Sequence, residues 1–404
     1  MPRMSLEEFL HPISPSAFLG EIFSHKPIYI EGRRGRFSHL LSWDSLNNIL
    51  QSRQLQPPRI FLSKKRLLPA EEFTQASRRH KISTLSGTPE LKLQCFENLL
   101  HEGWMLIIND IDEMQQPIRQ ICTMLEHELG DQVTANMYAG WHGTQGFETH
   151  WDDHEVIIAQ VSGSKRWRIF EPDRKYPVSA DRALGHKPPN QKPIWEGELN
   201  SGDLLHIPRG WWHDAIPVGN EGTLHLTFTI PRQCGLDLTR QLIDLLREHE
   251  CARIDLPRFG EGKDKEVFLS RFRAAVEACL PKLSIDSFLH KTDASAPSRV
   301  RPSFPWTAMR GSEHVPTSAW LHWLPPRKVR IEDRGEQVSI SALASTFEFD
   351  ASSGSVLRDL AETLHICVAD LHQRHPETTP DELERLTLDL VSKGLVTISA
   401  AEEI

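Results

Sequence analysis

The chain has no CxxC pair: its six cysteines, Cys95, Cys122, Cys234, Cys251, Cys279 and Cys367, stand singly. That scatter argues against a zinc ribbon and against a disulfide scaffold, and it fits a reducing compartment. No run approaches the roughly 20 apolar residues needed to span a bilayer. The N-terminus, MPRMSLEEFLHPISP, carries acidic residues and an early proline where an export signal would hold its apolar segment. A cytoplasmic location away from membranes is therefore expected. Positive charge is also short, with 46 Lys and Arg against 55 Asp and Glu and a formal net charge of −9. A polyanion would be repelled overall, so direct nucleic-acid reading is not expected and a cationic protein or peptide is the favoured partner. There is no internal repeat and no low-complexity run.

What is present divides by texture. At 404 residues, two or three folded units are expected. Up to about residue 130, helical and extended signals mix. Ser14-Pro15 marks a helix start, with Phe18, Leu19, Ile22 and Phe23 on one side. A second helical run, Trp43 to Leu50, follows Ser42, and Trp104 to Ile108 is a continuous apolar run expected to be a buried strand. From 131 to 232 short β-type segments alternate with turns. Val156–Val161, Ser162-Gly163-Ser164 and Lys165–Phe170 predict a hairpin. Gly202-Asp203, Leu204–Pro208, Arg209-Gly210 and Leu224–Ile230 continue the pattern of a barrel or jelly roll.

After Pro231 helical periodicity returns, over Leu236–Leu246 and Val267–Leu280. Residues 292–326 are rich in Pro and Ser and predict a long connection. The tail predicts a strand at Val338–Ile340, one helix from Ser355 to His372, a second from Pro380 to Lys393 with Thr379 and Glu382 as a capping box, and a strand at Leu395–Ile398.

The chemistry concentrates in Thr149-His150-Trp151-Asp152. Residues two apart on a strand project from one face, so His150 and Asp152 are expected to converge inside the barrel. His213 comes from a later strand. Two imidazoles and one carboxylate make the facial triad that leaves open positions on iron(II), room for a chelating oxoacid and for O2. With twenty histidines, a His-x-Asp pair also arises by chance. A rival dyad, His375-Pro376-Glu377, has a proline inside it and falls in a predicted loop. Lys165 shares a strand face with Trp167 and Ile169. A lysine pointing into a barrel requires an anion, although a strand lysine can equally face solvent.

The stretches HWDDHEVIIAQVSGSKRW (150–167), GDLLHIPRGWWHDA (202–215) and HLTFT (225–229) resemble the Jumonji-C oxygenases, in particular the ribosomal oxygenase branch. The resemblance covers nearly the whole chain, specifically in the barrel motifs and only in texture outside them. It implies a mainly β catalytic core, a cupin-like double-stranded β-helix or jelly roll with added helices. With it come a helical dimerisation region and a C-terminal winged helix. The implied division is 1–232 for the catalytic domain with its N-terminal extension, 233–335 for the helical region and linker, and 336–404 for the winged-helix-like domain.

By the same resemblance His150, Asp152 and His213 are the catalytic iron ligands, Lys165 pairs with the distal carboxylate of 2-oxoglutarate, and Asn136, Tyr138 and Thr227 line that cosubstrate. The implied cofactors are Fe(II), 2-oxoglutarate and O2. The implied reaction is hydroxylation of an amino-acid side chain in a protein, with a basic ribosomal protein as partner and the enzyme a homodimer. Three other readings stay open: an oxygenase acting on a free amino acid or small peptide, a methyl-lysine demethylase with the same iron chemistry, and a non-catalytic cupin-like binder. The presence of all three ligands and Lys165 weighs against the last. His154 and the pair Trp211-Trp212 depart from the branch's usual residues; with Arg209 they are expected at the mouth, where they leave the substrate open.

Overall fold

A computed structural model describes residues 4–52, 55–76, 89–141, 143–184, 187–299 and 315–400. The chain divides into two compact units, Met1–Pro231 and Arg232–Ile404.

The first unit is built on two antiparallel sheets. The larger runs in the order Ile28–Ile30, Leu204–Ile207, Glu155–Ser162, Thr223–Ile230, Thr134–Gly140, Met105–Ile108, Ile60–Lys64 and Arg66–Leu67. The smaller has Ser164–Phe170 at its centre, between Trp195–Leu199 and Trp212–Val218. This is the expected cupin-like jelly roll. The central strands of the larger sheet are buried on both faces, and their side chains sort by parity. Ile157, Ala159 and Val161 join Leu224, Leu226, Phe228, Ala135, Met137 and Ala139 in one apolar layer, packed with Phe9, Phe18 and Phe37 of the N-terminal segment. Val156 and Ile158 face the other way and pack with Trp167, Ile169, Leu205 and Ile207. On that inner side the polar residues collect.

Several expectations change in detail. Glu155–Ser162 and Ser164–Phe170 do not pair as a hairpin, because each belongs to a different sheet. The chain crosses between the sheets at Gly163, where φ is +65° and a Cβ would lie 2.5 Å from the carbonyl oxygen of Gly222; only glycine fits there. The dyad is not in a regular strand either; His150 makes an isolated bridge to His213. The helix begun by Ser14 and Pro15 passes into a π-type turn over Phe18–Ile22, which leaves Leu19 exposed while Phe18, Ile22 and Phe23 are buried.

In the second unit, helices span Gly235–Leu246, Gly262–Cys279 and Ile285–Ala294. A three-stranded sheet follows in the order His365–Cys367, Trp320–Trp323, Val396–Ser399, with helices Gly354–Thr363, Val368–Arg374 and Pro380–Ser392. The strand Trp320–Trp323 lies inside the expected connection, of which 300–314 is outside the described residues. The single helix expected over 355–372 is two helices, parted at Leu364, whose φ is +65°, and by the strand His365–Cys367. Thr379 and Glu382 make the expected capping box. No helix among the described residues is long and apolar enough to cross a membrane.

Candidate metal centre and its pocket

His150 and His213 exchange two backbone hydrogen bonds, of 3.0 and 2.7 Å, which set their rings 4.5 Å apart. The Asp152 carbonyl accepts the N–H of Gly210 at 2.8 Å, so the turn before the His213 strand also holds the dyad segment. That turn needs a glycine: φ is +88°, and a Cβ would meet Pro177 at 2.7 Å.

Each imidazole turns Nδ1 to a backbone carbonyl, His150 to Glu148 at 2.8 Å and His213 to Trp211 at 3.0 Å. A carbonyl only accepts, so Nδ1 carries the proton in both rings and Nε2 keeps its lone pair. Asp152 Oδ2 lies 3.6 Å from His213 Nε2. One ligand atom from each of His150, Asp152 and His213 lies within 4.8 Å of the others, the sole such group among the described residues. Burial, and then the neighbouring His150, push His213 down to about 4. Its ring is therefore neutral near pH 7, the form that binds a metal. Two imidazoles and one carboxylate suit a divalent first-row ion with positions left open.

The flanks of both histidines are braced by one carboxylate. Asp214, beside His213, accepts Arg168 Nε and Nη2 at 2.9 and 2.8 Å and the hydroxyl of Thr149, beside His150, at 2.6 Å. This fork was not legible in the sequence, since no local spacing links residues 149, 168 and 214.

The triad opens into a cavity of about 320 Å³ between the sheets. Lys165, Asn136, Tyr138 and Thr227 all line it, as does His154. Lys165 is 2% exposed. Its one hydrogen-bond partner among the described residues is the sulfur of Met105, at 3.7 Å. Burial lowers the ammonium from 10.5 to about 7. A buried amine with no acid beside it fits an incoming carboxylate. Asn136 Oδ1 accepts the Asp110 N–H at 3.0 Å. The Tyr138 phenol is held well above its usual range by burial and then by Asp152, so it stays a neutral donor.

Other mouth expectations do not hold. Arg209 and Trp211 are not among the residues lining the cavity. Arg209 lies over the Tyr176 ring, Trp211 packs against the inner apolar cluster, and Trp212 is buried with Nε1 donating to Asp173 at 2.9 Å. Burying the apolar ring while its N–H finds an acceptor is what favours the inward position of Trp212. The rival His375 bonds instead to Asp359 and Glu377, at 3.0 and 3.3 Å. Sequence reasoning passed over Met105, Phe147 and His225, all of which line the cavity. For His225 a signal existed: it stands two residues before Thr227 on one strand, hence on the same face.

Residues 108–236 match the JmjC domain family. The chain is similar to the bifunctional lysine-specific demethylase and histidyl-hydroxylase NO66 of Drosophila melanogaster, 38% identical over 118 residues, covering 29% of this chain and 18% of that protein. With the Drosophila erecta protein of the same name it is 26% identical over 234 residues, covering 57% and 34%. It thus spans about a third or less of the length of these relatives. Among solved structures it resembles the Escherichia coli ribosomal oxygenase YcfD, with TM-score 0.57, 15% identity and coverage of 96% of this chain and 98% of that one. A YcfD structure in complex with cobalt and 2-oxoglutarate aligns with TM-score 0.55, 14% identity and coverage of 96% and 99%. At these identities the likeness shows the fold alone.

Proposed function

We propose, starting from the JmjC domain that residues 108–236 form, that this chain is an iron(II)- and 2-oxoglutarate-dependent dioxygenase that hydroxylates a protein side chain, with a ribosomal protein as substrate. One observation carries the reading: the His150, Asp152 and His213 group opens into the same cavity as a buried lysine that has no acidic partner among the described residues. A metal centre and an anion site in one pocket suit a chelating dicarboxylate.

In this reading His150 and His213 hold iron(II) through Nε2 and Asp152 through its carboxylate. Bound iron(II) supplies the oxidative decarboxylation of 2-oxoglutarate by O2, giving succinate and CO2 and one oxygen atom for a substrate C–H bond. The chain's own residues do the rest. Lys165 and Thr227 bind the remote carboxylate, Asn136 and Tyr138 line the bound oxoacid as neutral polar groups, and Val156, Ile158 and Trp167 keep water from the reacting centre. The Nδ1 contacts to Glu148 and Trp211 fix which nitrogen each imidazole presents.

The relatives support the substrate class: YcfD is described as a ribosomal oxygenase, and NO66 as both a hydroxylase and a demethylase. The acidic balance of this chain favours a basic partner, and the absence of a membrane-length helix among the described residues agrees with a cytoplasmic enzyme. Demethylation stands as the second reading because of the NO66 name.

Large apolar side chains are exposed along the helical region, including Leu236, Ile243, Leu256, Ile285 and a Phe259 that is 97% exposed. Exposed apolar side chains of this kind support a homodimer formed through residues 233–335. The helices Gly354–Thr363, Val368–Arg374 and Pro380–Ser392, with the strands His365–Cys367 and Val396–Ser399, support a winged-helix-like domain over 336–404.

Succinate production with ribosomal proteins, compared between wild type and Asp152→Ala, tests the core of the reading. Wild-type turnover and none in the variant are expected; equal turnover sinks the site. Mass spectrometry of the treated proteins separates a gain of one oxygen from loss of a methyl group as formaldehyde.

A further inference from the structure

His225 is a cavity residue to which the mechanism above gives no task. It is 3% exposed and lines the cavity. Its ring stacks face to face on Tyr138, centroids 4.9 Å apart and planes 6° apart, and meets Trp167 edge-on at 5.8 Å. This packing fixes the plane of the ring while leaving its edge unused. Nδ1 is buried with no hydrogen-bond partner among the described residues.

Burial first, and then the positive charge of Lys165, push the ring well below its usual range, so it is neutral near pH 7. A neutral imidazole carries one N–H, and a buried N–H without an acceptor costs ~1–3 kcal/mol. No acceptor meets Nδ1, so the proton belongs on Nε2, the nitrogen left to a ligand in the cavity. Lys165 and His225 line the same cavity, and Trp167, two residues from Lys165 on one strand, is the residue that meets the His225 ring. One cationic and one neutral donor in one pocket match the two oxygens of a carboxylate, which accepts at both.

We propose that His225 is a second donor, beside Lys165, to the remote carboxylate of the cosubstrate, and that it selects a 2-oxo dicarboxylate over a 2-oxo monocarboxylate. The proposal deepens the oxygenase reading and rests on it. It adds a cosubstrate-binding residue on the strand that carries Thr227, at the adjacent inward position.

The test is binding rather than turnover. Protein loaded with Mn(II) is titrated calorimetrically with 2-oxoglutarate and with 2-oxopentanoate, which has the same carbon chain without the remote carboxylate. His225→Phe keeps the stack on Tyr138 and removes the donor. It should bind 2-oxoglutarate about tenfold or more weakly, with affinity for 2-oxopentanoate and Mn(II) unchanged. His225→Gln, whose amide nitrogen reaches the region of Nε2, should return most of the lost affinity, and it serves as the working variant if the phenylalanine protein does not fold. Wild-type affinity for 2-oxoglutarate in His225→Phe overturns the proposal. So does an equal loss for both oxoacids, which would assign the ring to shape alone, or loss of the dicarboxylate preference in folded His225→Gln. Should wild type bind Mn(II) but neither oxoacid, the oxygenase reading itself falls, and the inference with it.

Discussion

Asp203 and Lys165 are both charged, both 2% exposed and both in the first unit, yet the protein treats them in opposite ways. Asp203 is saturated from within: its carboxylate accepts the Tyr29 hydroxyl at 3.1 Å and the backbone N–H groups of Gly32 and Asn200, each at 2.8 Å. It ties the turn at Gly202 to the N-terminal segment. Lys165 has a thioether at 3.7 Å and no acidic partner among the described residues. The difference teaches where to look for function: a buried charge completed by the fold stabilises it, whereas one left incomplete is held for a visitor.

That contrast can be broken in four ways. The largest effect belongs to Asp152→Ala, which should lose metal binding and drop turnover to background with the fold intact; retained Mn(II) affinity in a calorimetric titration would contradict the ligand assignment. Next, Asp203→Ala strips three donors of their acceptor and should lower stability by about 3 kcal/mol or more in urea unfolding. Affinity for 2-oxoglutarate should stay within about twofold of wild type; a large loss of affinity with little loss of stability would reverse the roles drawn here.

Lys165→Met should show the mirror image. A charge-assisted hydrogen bond is worth ~1.5–3 kcal/mol, so 2-oxoglutarate affinity should fall by about tenfold or more, while ligand-free stability should equal or exceed wild type because no ammonium is buried. The same variant has a pH signature. Burial holds the folded-state lysine at about 7 against 10.5, so between those values the unfolded chain binds a proton that the folded chain lacks. Stability of the ligand-free protein therefore rises with pH across that window on account of Lys165, and this contribution is flat below about 7. Urea titrations at neutral and alkaline pH should show a shallower rise in Lys165→Met; identical slopes would mean the lysine is not desolvated.

The smallest effect on chemistry is expected far from the pocket. Phe259→Glu places a charge among the exposed apolar side chains and should turn a dimer into a monomer by light scattering, with turnover per site unchanged. A wild-type protein already monomeric at micromolar concentration would remove the dimer from the proposal.

Much of this was legible in the residues. Thr379 with Pro380 and Glu382 announced a helix start that needs nothing beyond its own first turn, and the structure has it there. The apolar run Val156–Val161 announced a strand, and in the structure its residues sort by parity into two different cores. What failed was pairing. A glycine turn between two β-type runs looks the same whether the runs join one ladder or cross between two sheets, because the turn is local and the partner strands are not. The Trp320–Trp323 strand was hidden for a related reason: four residues flanked by proline carry too little periodicity to be seen until strands from 365 and 396 pair with both edges.

The sequence by itself determined the donor atoms: two imidazoles and a carboxylate in recognisable motifs, and a lysine one strand away on an inward parity. Only the tertiary structure decided that they meet, because the meeting depends on hydrogen bonds between residues 150 and 213, a turn held at Gly210, and a carboxylate at 214 that braces both flanks. It also decided that Lys165 and His225 are left incomplete, since whether a buried polar group has a partner depends on every element packed around it, and local spacing holds no record of that.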